Sequence, residues 1–307
     1  MGSRSEGEGR SEEAVIRSVA LALAALIACH PATPGTPTSP TKADAGAQTA
    51  GPSPHERAKH FVETQLAALS KRDQTAFVAS FVPDAFVLGA SDDEIGKANP
   101  GVIDSVLDLT PHDELEGVKL VRLAAGGNDE AVWIGFEVEV SKIVHEGTYA
   151  HEMYIVRGTE LLAASAGWKV VAASIARPHE PEMEQPPTSY AGGAKPGPLA
   201  RLLADPAMAE RVLSDDKDAI VFGAGEDLHG SGTGARKLLD KLASPKMQIV
   251  RVGREVTNTD WGYAHALLVL PPLDRDPHLP RYELGQVIAL PDGKGGWRVV
   301  AMQYIAN

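Results

Sequence analysis

The chain matches itself. Displaced by 134 positions, Asp84-Ala85-Phe86-Val87-Leu88-Gly89-Ala90 falls on Asp218-Ala219-Ile220-Val221-Phe222-Gly223-Ala224. Without a gap the match runs on to Asp93 over Asp227 and Gly96 over Gly230. Nearer the end of each block, Gly167-Trp168-Lys169-Val170-Val171-Ala172 falls on Gly296-Trp297-Arg298-Val299-Val300-Ala301. Two matches in the same order read as a tandem duplication. The fold must therefore be one that a block of little more than a hundred residues completes and then repeats.

Composition marks where the blocks end. From His30 to Pro54 the chain is mostly Pro, Thr, Ala, Gly and Ser, which cannot bury enough surface to offset its ordering entropy and is expected to be a disordered tether (29–54). A second Pro-rich stretch, the linker 178–197, separates a first block at 55–177 from a second at 198–307. A hydrophobic fraction of 43% with 23% charged residues is that of a globular chain. The net charge of −12 argues against a nucleic-acid partner, whose binding rests on neutralising phosphates. With one cysteine, no intramolecular disulfide can form.

Local patterns then order the first block. Ser53-Pro54-His55-Glu56 carries the N-cap serine, N1 proline and N3 glutamate of a capping box. Ala58, Phe61, Val62, Leu66 and Leu69 follow at helical spacing. Asp73 is expected to cap a short helix carrying Ala76, Phe77 and Phe81, Asn99-Pro100 to begin a third, and Thr233 to cap its counterpart. Strands follow at about 118–124, 131–144, 149–157 and 167–176. In the longest, Val132, Ile134, Phe136, Val138 and Val140 alternate with Trp133, Gly135, Glu137, Glu139 and Ser141. That period predicts a sheet with one dry face, Glu137 and Glu139 on the wet one.

Ahead of all this, Ser18–Ala28 is uncharged, directly after Arg17. Eleven residues are too few to cross a bilayer and suit the apolar region of an export signal (1–28). The run ends in Leu26-Ile27-Ala28-Cys29, which resembles the lipobox of bacterial lipoproteins. The resemblance implies that Cys29 is acylated and becomes the mature N-terminus, with membrane contact through that anchor only. His30 stands where inner-membrane retention takes an Asp, so the resemblance points to the outer membrane, facing periplasm or exterior. The acidic leader, with Glu6, Glu8, Glu12 and Glu13, departs from the pattern, a departure that a later start codon would remove.

The order of helix, short helix, strand with Asp-Ala, Gly-led helix and four strands ending in Gly-Trp-Lys/Arg-Val-Val resembles the SnoaL-like branch of the nuclear-transport-factor-2-like superfamily. It implies an α+β fold of two tandem cones, each a curved antiparallel sheet wrapped round N-terminal helices. The second block has only Pro198 to Ala204 ahead of Asp205-Pro206. Its first helix is therefore about two turns, its cone is open or filled, and no catalysis is expected there.

Candidate site residues are few. His145 and His151 bracket a hairpin, on one face or on opposite faces according to its turn. They supply too few ligands for zinc, and no metal or cofactor is expected. His151 and Glu152 are weak pocket candidates. Asp84 and Asp218 suit turns, and Trp168 and Trp297 suit core anchors. Trp133, Tyr263 and His265 are candidates for a patch joining the blocks as an intramolecular pseudo-dimer. No acid–base set emerges. The sequence points to a lipid-anchored binding or scaffold protein without catalysis, with room for a small apolar ligand in the first block. The alternatives are a SnoaL-like isomerase or hydrolase acting there on a small apolar molecule, and an envelope component that binds nothing.

Overall fold

The computed structural model describes residues 51–89, 95–98, 107, 109–110, 112–145, 150–178, 190, 192–243, 247–271 and 280–306. The readings at Cys29 and the helix expected from Asn99-Pro100 lie outside these residues. The chain divides into Met1–Thr49 and Ala50–Asn307, and everything below concerns the second unit.

Helices α1 (Pro54–Ser70) and α2 (Gln74–Val78) come first. Ser53 and Glu56 close the capping box on α1, and Asp73 accepts from the Ala76 amide to start α2. Phe81 lies beyond α2, opening β1 (Phe81–Leu88). Then follow β2 (Gly96–Lys97), β3 (Glu114–Gly127), β4 (Ala131–Val144), β5 (Ala150–Ala163) and β6 (Lys169–Ala176). They form one sheet in the order β2-β1-β6-β5-β4-β3.

The remainder gives α3 (Pro198–Ala204), α4 (Pro206–Arg211), β7 (Ile220–Phe222), β8 (His229–Ser231) and α5 (Thr233–Leu242). Strands β9 (Gln248–Thr257), β10 (Gly262–Leu270), β11 (Arg281–Pro291) and β12 (Trp297–Ala306) complete a second sheet in the same order, β8-β7-β12-β11-β10-β9. The fold is α+β, two cone-like domains. The sheets are mixed and not purely antiparallel, because β1 pairs parallel with β6 and β7 with β12. Register shifts between Leu115 and Gly117 and between Leu120 and Arg122 bend β3 against β4, the curvature a cone needs. Thr233 is the first residue of α5 and not its cap; Gly232 holds that position with φ 50°.

One apolar cluster fills each cone, and two more lie between the sheets. Trp133, Leu161 and Ala172 meet Ile220, Tyr263 and Ile288 in one of these, while Leu88 and Ala176 meet Leu267, Leu284 and Ile305 in the other. From Ala131 to Val138 strand β4 is consequently dry on both faces, against the expectation of one wet face, whereas Glu139 stays partly exposed, 3.8 Å from Lys119. Val132, Ile134, Phe136, Val138 and Val140 belong to the first cone's core, whereas Trp133 lies under the second sheet. Between the two clusters runs a polar seam. Gln286 donates to Thr159 Oγ1 at 2.8 Å, Thr159 donates to Gln303 Oε1 at 3.1 Å, and His265 Nε2 lies against Gln286 Oε1 at 2.5 Å. The stretch between the cones is more than a spacer. Tyr190 is fully buried, its hydroxyl accepting from the Gly253 amide and its carbonyl accepting from Arg251.

Candidate functional site

Helix α1 turns Ala58, Val62, Gln65 and Leu69 towards the sheet, at helical spacing, and its capping box fixes the end from which they are counted. Where these side chains meet β4 and β5 a cavity of about 30 Å³ remains, lined by Val62, Leu66, Leu69, Phe136, Val138, Val156 and their neighbours. That holds a water or two, against the roughly 300–1,000 Å³ of a small-molecule pocket. Among the described residues Gln65 is the one polar residue in the lining.

Gln65 Nε2 donates to Ser80 Oγ at 3.0 Å and to Glu160 Oε1 at 3.2 Å. Glu160 is fully buried, and its other oxygen has no partner. Burial, only partly offset by the Gln65 bond, pushes its carboxyl up to about 8. That rise favours the neutral acid at pH 7, a form able to donate a hydrogen bond. The sequence reading passed over Glu160, although a signal was there. On β5 it continues the inward phase of Tyr154, Val156 and Leu162, so period two alone puts a carboxyl inside the cone.

The second cone shows how that interior is lost. Glu160 pairs with Ala173 and Val287 with Met302 at the matching rung; Gly158 pairs with Ile175 and Gly285 with Tyr304 one step along. Val287 thus replaces the acid, and Met302 and Tyr304 replace Ala173 and Ile175. Tyr304 donates to the Leu203 carbonyl at 3.1 Å, bracing the seven-residue α3. Of the two outcomes expected of a shortened first helix, an open or a filled cone, the structure shows the filled one.

The remaining candidates lie elsewhere. His151 pairs with Ile143 and Glu152 with Lys142, so the two point to opposite faces of β5. His151 Nδ1 is 3.0 Å from Glu116, and Glu152 is 3.7 Å from the buried Lys142, which also meets Asp113 at 3.4 Å. Neither lines the cavity. His145 stands 3.9 Å from Glu114. Among the described residues no three His, Cys, Asp or Glu side chains gather as a metal site would require. Asp84 sits in β1, not in a turn, and pairs with Arg254 at 3.2 Å, whereas Asp218 stays in a turn, its amide donating to Asp216. Trp168 and Trp297 are half-buried at the margins of their cores.

Glu137 corrects the expectation of a solvated residue: it is 4% exposed. It sits between Arg122 at 2.7 Å and Arg157 at 2.9 Å. Arg157 reaches across to the second domain, donating to the Gly225 carbonyl at 2.8 Å and meeting His229 Nδ1 at 2.8 Å. Burial lowers the His229 pKa, with Glu137 pulling the other way. This is a structural clamp with every charge partnered, and it has no access to the cavity.

No family model matches the chain, and no curated protein matches it. Solved structures similar to it each cover about two fifths of this chain. A ketosteroid isomerase-like protein from Erwinia carotovora atroseptica is 12% identical over 40% of this chain and 95% of its own, with a TM-score of 0.32. ActVI-ORFA from Streptomyces coelicolor is 14% identical over 39% and 94%, with a TM-score of 0.32. A nuclear transport factor 2-like superfamily protein from Salmonella enterica serovar Typhimurium is 12% identical over 43% and 96%, with a TM-score of 0.34.

Proposed function

We propose that this is a lipid-anchored extracytoplasmic binding or scaffold protein, without catalysis, built from two SnoaL-like domains paired as a pseudo-dimer within one chain. Its anchor is Cys29, and its place is the outer membrane. The observation that carries the reading is the interior of the first cone: an apolar void of about 30 Å³ touched by a single polar side chain. An acid–base enzyme needs convergent titratable groups around room for a substrate. Here one acid, Glu160, stands behind Gln65, and among the described residues no second titratable group joins it. Support for Cys29 as the anchor is the uncharged run Ser18–Ala28 that ends at the chain's single cysteine.

Two measurements test this. Cells fed labelled palmitate should yield labelled protein whose mass begins at Cys29, and Cys29→Ala should abolish the label. Unlabelled protein with its first 28 residues intact defeats the anchor. Glu160 favours the second reading, an isomerase of small apolar molecules. Incubating the chain with apolar envelope extracts in deuterated water decides it, because an isomerase moving protons through Glu160 would deuterate its substrate and Glu160→Gln would stop it.

A further inference from the structure

A second concavity lies on the other flank of α1. Its volume is about 820 Å³, within the range of small-molecule pockets. Phe61, Ala68, Leu162 and Trp168 give it an apolar wall, and Arg57 and His60 stand at its polar end.

We propose that this groove binds an anionic amphiphile, an apolar chain ending in a carboxylate or similar oxyanion. The proposal rests on reading the protein as a binding protein and names the class of ligand. Arg57 is the first argument. Its guanidinium stacks on Trp168, 3.8 Å from the ring centroid, which holds the planar fork in one orientation. Its Nη2 reaches only the Pro52 carbonyl at 3.4 Å, and its Nε is buried with no partner. Among the described residues no carboxylate pairs with it. Glu56 also borders the groove, but its carboxylate is engaged by the Ser53 amide and hydroxyl at 2.8 Å each and does not pair with Arg57. A half-buried guanidinium whose Nε has no hydrogen-bond partner among the described residues suits an oxyanion, which it binds in fixed geometry.

Trp168 is the second argument. Its φ is 61°, immediately after Gly167 at 69°, in a region costly for a bulky side chain. Trp297, its match in the other block, is not in that region. The strained turn sets the indole against Arg57 in the first domain. Helix α3 begins only at Pro198, and its arginine, Arg201, is exposed.

The floor is the third. Gln65 borders both the groove and the inner void, with Ser80 beside it. Behind Gln65, burial raises the Glu160 carboxyl to about 8, which favours its neutral form at pH 7 and lessens repulsion of an anion at the floor. The inner void is far too small for an acyl chain. The groove is the place for it.

The test uses the full chain with decanoate and decanol, by calorimetry at pH 7. Decanoate should bind at least tenfold more tightly than decanol, and Arg57→Gln should bring decanoate to decanol's level while leaving decanol unchanged. Decanol binding as tightly as decanoate would sink the anion site and leave the binding reading intact, whereas binding of neither ends both. Unchanged decanoate affinity in Arg57→Gln also overturns the proposal. Should that variant misfold, 2-bromodecanoate gives a separate measure, since its bromine sits beside the carboxylate at Arg57 and bromine quenches an indole it touches. Quenching should be lost in Trp168→Phe; quenching that persists puts the ligand elsewhere and overturns the groove.

Discussion

Phe86 lies against His265, ring centroids 5.7 Å apart, and the same contact is made a second time with different residues. Phe86 pairs with Ala172 and Ile220 with Ala301; His265 pairs with Gln286 and Gly135 with Thr159. Ile220 therefore stands where Phe86 does, and Gly135 where His265 does. A Cβ at Gly135 would come within 2.5 Å of Ile220 Cγ2. On one side of the seam an aromatic ring covers an imidazole. On the other an isoleucine occupies the space a glycine leaves. Gly135→Ala should cost about 1–3 kcal/mol by overpacking. Ile220→Ala should cost less in the Gly135→Ala background than in the wild type. Denaturant melts of the four proteins in the cycle measure the coupling, and strict additivity would show that the two do not press on each other.

Two buried groups give stability an opposed pH dependence. Burial lowers His265 to about 4, so the unfolded chain binds its proton first and stability rises with pH from about 4 towards 6.5. Glu160, raised to about 8, is ionised in the unfolded chain above 4.5 but not in the native one, so it lowers stability from about 4.5 up to 8. Where both act they offset each other, and above 6.5 only the Glu160 loss remains. Glu160→Gln should unmask the rise between 4 and 6.5 and stabilise the protein at pH 7 by up to ~3 kcal/mol. Urea melts across pH 4–8 check this. A variant whose profile parallels the wild type would mean that Glu160 is ionised in the native state.

The sequence made the architecture legible because local signals agreed with it. The capping box at Ser53, the Asp73 cap and the β4 alternation each name an element that exists. The matched segments lie at equivalent rungs of two equally ordered sheets. What failed was tertiary. Glu137 alternates as a surface residue would, yet it is buried because the second sheet covers β4, and nothing in a strand's own period reveals what lies on its other face. Tyr190 looked like part of a spacer because its neighbours are Pro and Gly, while its hydroxyl and carbonyl are held by β9. The candidate site was barely legible. His151 and Glu152 stood out by type near a hairpin, whereas Glu160 and Arg57 sit within ordinary strand and helix patterns and gain meaning from Gln65 and Trp168 across the fold.

Filling of the second cone rests on its larger β12 side chains. Tyr304→Ile would give it the first cone's residue without the first cone's long helix, and should cost about 3–5 kcal/mol, the range for emptying a large buried ring. Ile175→Tyr would force a ring into a void of about 30 Å³. It should cost about 1–3 kcal/mol by overpacking. Calorimetric melts of both variants distinguish the cones. Equal tolerance of tyrosine at both positions would mean that the first cone is looser than its packing shows.

Arg157 shows what divergence cost at the seam. It pairs with Ala176 where Leu284 pairs with Ile305, so a guanidinium stands opposite a leucine's place in the fold. Its partners are Glu137 at 2.9 Å, the Gly225 carbonyl at 2.8 Å and the Glu226 carbonyl. Arg157→Leu would leave Glu137 with Arg122 on the rim and with His229 at 3.3 Å, and would strand two carbonyls. Breaking a buried pair from one side costs about 3–5 kcal/mol. Removing both ends as Arg157→Leu with Glu137→Leu should recover part of that, because no charge is then left buried, while the carbonyls remain unpaired. Denaturant melts of the two variants give both values. A single substitution that costs less than ~1 kcal/mol would show water reaching Glu137, and the clamp between the domains would then be no more than a surface ion pair.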